Sequence, residues 1–329
     1  MWPRKPAETA AKRISPPMPE VRVAGQTLQR ENGSNLLDAL QSAGLPVASS
    51  CRAGHCQTCL VRSHSSAVPA AARSGLDAAQ AQQGWLLSCQ CPVVGDLDVQ
   101  LLDPAQDGTP ATLVSLDWLT PSLVRLRLAP QRPIRFAPGQ HVTLWLDGRL
   151  GRPYSIASLA SEHALEFHIR IHSQGVFSRA ISRAQVGARL HLGTPAGHMR
   201  FDTQWLDHPL LMFARGSGLA PIQALAREAL SQGHAQGIAL WHWYSDADNG
   251  CYLAETLLEL QQSNPLLAVH VRPARQLQED LAALRLTSRR TVALMAGSPS
   301  FVEQLRRPLF MAGLPGRQII DEVFATGRA

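Results

Sequence analysis

The sequence lacks the long apolar segments and the charge blocks that mark membrane-spanning and nucleic-acid-binding proteins. No window of 18 consecutive apolar residues occurs in its 329 residues, which argues against a transmembrane helix. There is no run of five or six like charges, only three residues are tyrosine, and the net charge of +6 is spread along the chain. Nucleic acid is therefore not expected as a partner. Apolar residues make up 45% of the chain, which excludes disorder as the overall description.

The amino terminus also lacks the apolar segment of a secretory signal peptide, although it carries basic residues. We expect residues 1–18 to form a disordered tail, with Met18 as an alternative start of translation, and we expect a cytoplasmic protein. Five of the six cysteines lie between Cys51 and Cys91, whereas a disulfide-bonded scaffold would spread them along the chain. This crowding indicates a metal site.

Changes in composition and hydrophobic periodicity divide the chain into three predicted domains. The first, residues 19–104, contains a β-hairpin around Ala24-Gly25, a helix capped by Ser34 and the cysteine-rich segment. Residues 105–110 are a predicted linker, because Asp, Gly and Pro cluster there.

The second and third domains differ in their periodicity. Residues 111–205 consist of short alternating runs separated by Gly and Pro turns, a pattern typical of an antiparallel β-barrel. Residues 206–329 alternate apolar strands with amphipathic helices, which predicts a doubly wound parallel sheet. The helices are expected at 220–231, 251–262, 275–286 and 300–313. The fold class is therefore multidomain, with an α+β first domain, a β-barrel and an α/β third domain.

Four cysteines have the spacing of a plant-type [2Fe–2S] site. Cys51, Cys56 and Cys59 form a C-x4-C-x2-C pattern, and Cys89 follows after 29 intervening residues. Such a loop brings three thiolates together from one segment and points backbone N–H groups at the sulfurs. Zinc is the alternative metal, although structural zinc prefers paired C-x2-C segments. Cys91, expected on the same strand face as Cys89, is the alternative fourth ligand.

The cysteine-rich domain resembles a plant-type ferredoxin domain. The resemblance covers residues 20–103 and implies a β-grasp fold that holds a [2Fe–2S] cluster on Cys51, Cys56, Cys59 and Cys89. Gln57 departs from the ferredoxin pattern, because it stands where the loop usually has a second glycine.

Two segments of the predicted barrel resemble the flavin-binding motifs of the ferredoxin–NADP reductase superfamily. RPYSIAS at 152–158 matches its R-x-Y-S motif, and GVFS at 175–178 matches its G-x-x-S segment. The resemblance implies FAD, with Arg152 on the pyrophosphate, Tyr154 against the isoalloxazine ring and Ser155 near its N5 atom. The full set implied to bind FAD is Arg152, Pro153, Tyr154, Ser155, Ile169, Gly175, Val176, Phe177 and Ser178. Taken alone, RPYS could equally be an edge-strand arginine beside a core tyrosine.

The third domain carries segments similar to the superfamily's nicotinamide-binding loops. MFARGSGLAP at 212–221 resembles the G-G-T-G-x-A-P loop, which implies that Gly216, Ser217 and Gly218 receive dinucleotide phosphates. Gly297 belongs to a second such segment. Two residues depart from the family pattern: Arg215 replaces the first glycine of the loop, and Ala296 replaces a cysteine near the hydride path.

Three side chains are implied to lie closest to the reacting flavin ring: Tyr154, Ser155 and Phe324. Phe324 matches a near-terminal aromatic residue that covers the ring in many relatives. A core aromatic residue of the last strand is an equally good interpretation of Phe324.

The coenzyme preference is expected to depend on the loop after the second strand of the third domain. That strand ends in Ser245-Asp246-Ala247-Asp248-Asn249, and no basic residue occurs between Ile238 and Leu260. A carboxylate there, Asp246 above all, would repel a 2′-phosphate and accept from a free 2′-hydroxyl, which favours NADH. Alternatively the two aspartates only shape a turn, and Arg272 or Arg275 reaches a phosphate.

The order of domains resembles the reductase components of bacterial multicomponent oxygenases. The resemblance implies that electrons pass from NAD(P)H through FAD to a [2Fe–2S] cluster, and then to a protein acceptor such as an oxygenase component. Two alternatives remain open. One is a standalone NAD(P)H diaphorase that reduces small acceptors, and the other is a non-redox metal-binding module, suggested by Arg215 and Ala296.

Overall fold

Three sheets follow one another along the chain. The computed structural model describes residues 18–248, 250–286 and 288–324. The predicted disordered tail lies outside these residues, apart from Met18. No helix of the described segments is long and apolar enough to cross a membrane.

The first sheet has five strands in the order β2-β1-β5-β3-β4, with β1 and β5 parallel. Its strands are β1 (Glu20–Val23), β2 (Gln26–Gln29), β3 (Leu60–Arg62), β4 (Trp85–Leu87) and β5 (Leu97–Leu101), and its helices are α1 (Leu36–Ser42) and α2 (Ala78–Gln82). The predicted hairpin is present, and Ala24 and Gly25 turn it with φ of 50° and 75°.

Two local predictions in this part of the chain are wrong. The N-cap of α1 is Asn35 and not Ser34, because the Asn35 Oδ1 atom accepts from the backbone N–H groups of Leu37 and Asp38. The strand that leads to the late cysteines ends at Leu87, and a 3-10 turn over Ser88–Gln90 follows it. Cys89 and Cys91 therefore do not share a strand face.

The segment predicted as a linker carries regular structure. A one-turn helix, α3 (Pro104–Asp107), begins at an Asp103 cap, and the next strand starts at Thr109. Proline at the first helical position favours this helix start.

The second sheet is antiparallel throughout and has six strands in the order β10-β7-β6-β11-β8-β9. The strands are β6 (Thr109–Thr120), β7 (Leu123–Pro130), β8 (His141–Trp145), β9 (Gly151–Ser155), β10 (Leu165–Arg170) and β11 (Arg189–Leu192), and α4 (Val176–Ile181) follows β10. The Ala157 N–H donates to the Glu166 carbonyl at 2.8 Å, which brings the two edges together as a barrel requires. Alternating side chains such as Leu126 and Phe167 fill the interior.

The third sheet is parallel throughout, as predicted, in the order β14-β13-β12-β15-β16. Its strands are β12 (Leu210–Arg215), β13 (Ile238–Tyr244), β14 (Leu267–Pro273), β15 (Val292–Gly297) and β16 (Ile319–Val323), and its helices are α5 (Leu219–Ser231), α6 (Ala254–Gln262), α7 (Leu277–Ala283) and α8 (Pro299–Met311). The strand order reverses between β12 and β15, and ligands of such sheets bind at the carboxyl ends of the strands at this point.

Candidate functional site

The loop from Cys51 to Cys59 folds around its own sulfur atoms. The backbone N–H groups of Ala53 and Cys56 point at the Cys51 sulfur from 3.3 and 3.4 Å, and the Cys51 N–H points at the Cys56 sulfur from 3.5 Å. A loop this tight requires residues in the left-handed backbone conformation, and Arg52 and Gly54 adopt φ of 53° and 84°. The loop therefore offers the N–H donors that stabilise negative charge on cluster sulfurs.

Gln57 shows why a glycine is usual at its position. Its φ is 52°, a left-handed conformation that costs a residue with a side chain about 1 kcal/mol or more. The side chain compensates, because its Nε2 donates to the Gly75 carbonyl at 2.9 Å and its Oε1 accepts from Gln80 at 3.1 Å. The substitution thus ties the cysteine loop to the segment before α2.

The four cysteines of the predicted cluster meet in two pairs. The Cys56 thiol donates to Cys51 and lowers the pKa of Cys51, and the Cys59 thiol does the same to Cys89. Cys59 and Cys89 also pack in one small apolar cluster with Leu37. Two pairs of thiolates are what two iron atoms need, so these residues fit a [2Fe–2S] cluster.

Cys91 lies apart from these pairs. It is fully buried in the main core of the first sheet, and burial raises the pKa of its thiol to about 11. A neutral buried thiol of this kind behaves as a small apolar residue.

A cavity of about 440 Å³ lies where the three sheets meet. Ten residues implied by the flavin and nicotinamide motifs line it: Arg152, Pro153, Tyr154, Ser155, Gly175, Val176, Phe177, Ser178, Ser217 and Phe324. Cys51 and Cys56 line it as well. Ile169, Gly216, Gly218, Asp246 and Gly297 are not among the lining residues. The Ile169 side chain is buried in the barrel core, while its neighbours His168 and Arg170 line the cavity.

Aromatic and cationic groups give this cavity the character of a flavin site. Tyr154 and Phe177 pack with ring centroids 5.3 Å apart, and burial raises the pKa of Tyr154 above its usual value, so its phenol stays neutral. Arg152 donates to the Gly151 carbonyl at 2.9 Å, and no carboxylate of the described residues lies within salt-bridge distance of its guanidinium. An apolar wall beside an arginine fits the ring and the pyrophosphate of FAD.

The GVFS turn is held by its serine. Ser178 Oγ donates to the Gly175 carbonyl at 3.2 Å and accepts from the His172 N–H at 3.1 Å. A Cβ atom at Gly175 would lie 2.5 Å from Ser178 Oγ, so only glycine fits there.

The Gly-Ser-Gly turn after β12 lies at the reversal of the third sheet. A Cβ atom at Gly218 would lie 2.1 Å from the Ala296 carbonyl, so glycine lets the turn reach the end of β15. His242 Nε2 lies 3.2 Å from the Gly216 carbonyl, and burial lowers the pKa of His242 to about 4. We assign the proton of this neutral ring to Nε2, because a carbonyl only accepts.

The position of Phe324 fits both interpretations of its role, as a residue that covers the flavin ring and as a core aromatic residue. It lines the cavity, and it also packs against the core of the third sheet. Its backbone N–H donates to the Gly297 carbonyl at 2.8 Å, which fixes Phe324 beside the site.

The two aspartates after β13 have different partners. Asp248 is buried and forms a two-pronged ion pair with Arg170 of the barrel, with N–O distances of 2.9 and 2.7 Å. Asp246 is exposed and pairs with Arg275, itself exposed. Of the two aspartates, only Asp246 lies free of the barrel.

Several residues at this site carry no sequence motif. His141 of β8 and Glu322 of β16 line the cavity and lie 2.9 Å apart. His168 bridges Glu166 at 2.9 Å and Tyr252 at 3.1 Å. The sequence signal for these residues was the position of each histidine in a strand of alternating pattern. Sequence alone does not show which residues a histidine contacts.

Comparison with known proteins gives two family matches. Residues 21–94 match the 2Fe-2S iron-sulfur cluster binding domain, and residues 111–201 match the oxidoreductase FAD-binding domain. These matches cover the cysteine pairs and the RPYS and GVFS segments.

Curated relatives extend over most of the chain. The reductase component of the naphthalene 1,2-dioxygenase system of Pseudomonas putida is 31% identical over 246 residues, which is 72% of this chain and 74% of the relative. The reductase component of the naphthalene 1,2-dioxygenase/salicylate 5-hydroxylase systems of Ralstonia is 30% identical over 328 residues, which is 91% of this chain and 96% of the relative.

Two solved structures share the fold. A cytochrome P450 reductase of Amycolatopsis superposes with a TM-score of 0.63 at 24% identity, over 93% of this chain and 98% of that one. The ferredoxin reductase of carbazole 1,9a-dioxygenase gives a TM-score of 0.62 at 23% identity, with the same coverage.

Proposed function

The chain belongs to the ferredoxin–NAD(P)(+) reductase components of oxygenase systems, and from this premise we propose that it is an NADH-dependent reductase whose acceptor is an oxygenase component. As a member of this family it is an iron–sulfur flavoprotein that moves electrons from NAD(P)H through FAD to a [2Fe–2S] cluster. The finer proposal concerns the residues, the coenzyme and the acceptor.

One observation carries the proposal. A single cavity is lined by the RPYS and GVFS segments of the barrel, by Ser217 of the nucleotide loop and by Cys51 and Cys56 of the cysteine loop. A flavin in this cavity would contact both the nicotinamide side and the cluster side of the protein. FAD, when bound, accepts a hydride and gives up its electrons one at a time, and a [2Fe–2S] cluster takes one electron.

The protein's own residues bind and shield the flavin. We propose that Arg152 pairs with its pyrophosphate, that Tyr154 and Phe177 pack against the ring, and that the Gly175–Ser178 turn supports the phosphates. Phe324 lines the same cavity, where it would cover the ring and exclude water. Ser155 lies beside Tyr154 in β9 and, at 7% exposure, offers a hydroxyl inside the cavity.

We propose Cys51, Cys56, Cys59 and Cys89 as the cluster ligands, with Cys51 and Cys56 on one iron and Cys59 and Cys89 on the other. The pairing of the thiols supports this assignment. The domain limits 19–104, 111–205 and 206–329 remain proposals.

The preference for NADH rests on Asp246. Its carboxylate is exposed after β13, at the carboxyl edge of the sheet, where it would repel a 2′-phosphate. Arg275 pairs with Asp246 and is therefore partly neutralised.

Steady-state kinetics with both coenzymes test this proposal: kcat/KM should be higher for NADH, and Asp246→Arg should move the preference toward NADPH. Asp207→Arg, which makes the same charge change at the opposite edge of the sheet, is the control and should leave the preference unchanged.

The acceptor is expected to approach the outer side of the cysteine loop. Arg52, Ala53 and His55 are exposed there, while Cys51 and Cys56 line the cavity on the inner side. An assay with purified oxygenase component and with ferricyanide separates this proposal from a diaphorase. Cys59→Ser should abolish reduction of the protein acceptor and retain ferricyanide reduction; a wild-type protein that reduces only the small acceptor would support the diaphorase.

A further inference from the structure

Tyr252 lies between two buried histidines that belong to different domains. His168 is in β10 of the barrel and lines the cavity proposed for the flavin, whereas His242 is in β13 of the third sheet. The Tyr252 ring meets both imidazoles edge-on, with its centroid 5.3 Å from that of His168 and 5.9 Å from that of His242. Tyr252 follows β13 and precedes α6, so a side chain of the third domain contacts the wall of the barrel cavity.

The hydrogen bonds on the barrel side have a fixed direction. His168 Nε2 lies 2.9 Å from Glu166 Oε1. An ionised carboxylate only accepts, so a neutral imidazole carries its proton on Nε2. The Nδ1 atom therefore accepts from the Tyr252 hydroxyl at 3.1 Å. Because both ring nitrogens are engaged, His168 cannot turn without breaking one of these bonds.

The hydrogen bonds on the other side lead to the Gly-Ser-Gly turn. His242 donates from Nε2 to the Gly216 carbonyl, so its Nδ1 atom accepts from the Cys251 thiol at 3.2 Å. Burial raises the pKa of this thiol to about 11, so the thiol keeps its proton. The adjacent residues Cys251 and Tyr252 thus contact the histidine that holds the turn and the histidine that lines the cavity.

The distance between the Gly-Ser-Gly turn and the cavity wall depends on these contacts. A hydride passes from coenzyme to flavin only when the reacting atoms approach to about 3–3.5 Å, and a misplacement of about 1 Å can cost roughly 100-fold in rate. The turn belongs to the third domain and the wall belongs to the barrel. Contacts between these two domains must therefore hold the alignment.

We propose that Tyr252 is a positioning residue that, through His168, aligns the third domain with the flavin cavity for hydride transfer. This inference rests on the proposed function. In the step that it serves, NADH gives a hydride, which is one proton with two electrons, to FAD and leaves as NAD⁺. A C–H bond of the coenzyme breaks, an N–H bond of the flavin forms, and no bond to the protein changes. Tyr252 is not among the residues that line the cavity, so it acts through its neighbour.

Tyr252→Phe tests the proposal, because it removes the hydroxyl and keeps the ring between the two imidazoles. Anaerobic stopped-flow mixing of the holoprotein with NADH should give a limiting rate of flavin reduction that is lower by roughly 10-fold, the effect of losing a buried hydrogen bond and leaving its acceptor unpaired. The NADH concentration that gives half the limiting rate, and the FAD occupancy, should stay close to the wild-type values. Tyr244→Phe, which removes the same hydroxyl from the last residue of β13, is the matched control and should leave the rate unchanged.

A double-mutant cycle with His168→Ala shows whether the hydroxyl acts through His168. In the His168→Ala background, Tyr252→Phe should cause no further loss of rate, because the partner of the hydroxyl is already absent. The same loss in both backgrounds would contradict the proposal.

A second measurement does not depend on turnover. Hydrogen exchange of the amides of residues 251–257 should be faster by roughly 10-fold in oxidised Tyr252→Phe holoprotein and unchanged in Tyr244→Phe. If His168→Ala does not retain FAD, the cycle is measured by this exchange, and Tyr252→Phe should add nothing to it in that background.

The outcomes separate the two claims. If NADH does not reduce the wild-type flavin, the proposed function fails, and hydrogen exchange still decides whether Tyr252 holds the two domains together. A wild-type limiting rate in Tyr252→Phe would overturn the positioning role. A lower rate that is explained by weaker NADH binding or by lost FAD would also overturn it, because Tyr252 would then support binding and not alignment.

Discussion

Arg170 and Asp248 join the barrel to the nucleotide domain through a two-pronged ion pair. The Nη1 and Nη2 atoms of Arg170 both donate to the Asp248 carboxylate, and Ser122 Oγ donates to it at 3.0 Å. A Cβ atom at Gly216 would lie 3.5 Å from Arg170, so the same arginine packs against the Gly-Ser-Gly turn. The pair thus sets the position of the Gly-Ser-Gly turn relative to the barrel.

Asp248→Asn should loosen this junction. The Asp248 side chain is 4% exposed, and removing one partner leaves a charge on Arg170 without its counterion. We expect the free energy of unfolding to fall by about 1–3 kcal/mol, measured by urea denaturation of the holoprotein. Asp246→Asn removes an exposed pair and should cost under about 1 kcal/mol. Equal losses for the two variants would show that the buried pair has no special role.

Acid should weaken contacts within the barrel, where Glu166 pairs with Arg127 and His168. Burial raises the pKa of Glu166, but hydrogen bonds and charge from His168 and Arg127 outweigh it and bring the pKa down to about 2. A carboxyl with a depressed folded pKa stabilises the fold above its unfolded value of about 4.3, and this stability is lost as pH falls toward the folded value. Stability should therefore decrease between about pH 4.5 and 2.

Glu166→Gln is the test of that pH dependence. The variant should be less stable than the wild type at pH 7 and should lose less stability on acidification, as measured by chemical denaturation at several pH values. A slope between pH 4.5 and 2 that matches the wild type would assign the acid sensitivity to other carboxylates.

Cys89→Ser and Cys91→Ser distinguish the two candidates for the fourth ligand. Cys89 pairs with Cys59, whereas Cys91 is buried in the apolar core, so only Cys89→Ser should lose the iron–sulfur absorption bands. NADH should still reduce the flavin in both variants. The reverse pattern of band loss would make Cys91 the ligand.

Arg152→Ala should weaken the retention of FAD. The loss of charge-assisted hydrogen bonds to a pyrophosphate corresponds to roughly 10- to 150-fold in affinity. Flavin occupancy after dilution and dialysis is the measurement, and Arg149→Ala, an exposed arginine outside the cavity, is the control. Wild-type occupancy in Arg152→Ala would remove Arg152 from the flavin site.

Local patterns predicted much of the architecture, because strands and helices follow from nearby residues. The helix expected at 220–231 is α5, Leu219–Ser231, and the apolar runs of the third domain are its five parallel strands. The helix expected at 275–286 is shorter, since a 3-10 turn precedes α7 and Leu284 is already extended. Ser34 and Asn35 are adjacent and both residue types cap helices well, so the sequence did not decide between them.

Contacts between domains had no comparable signal. Arg170 and Asp248 are 78 positions apart, and no sequence pattern pairs them. The sequence showed two aspartates in one acidic turn, and the structure gives one to the barrel and leaves the other exposed. His141 and Glu322 likewise meet only because β8 and β16 reach the same cavity. Such pairs depend on tertiary geometry, which periodicity and spacing do not encode.

An anaerobic titration with NADH tests the central claim most directly, because it counts the electrons that each chain stores. FAD and a [2Fe–2S] cluster in one chain should take up about three electrons, or about 1.5 equivalents of NADH, with loss of the flavin and iron–sulfur bands and an electron paramagnetic resonance signal from the reduced cluster. Uptake that stops when the flavin is reduced, with no signal from the cluster, would contradict the account that electrons pass from NADH through FAD to the cluster.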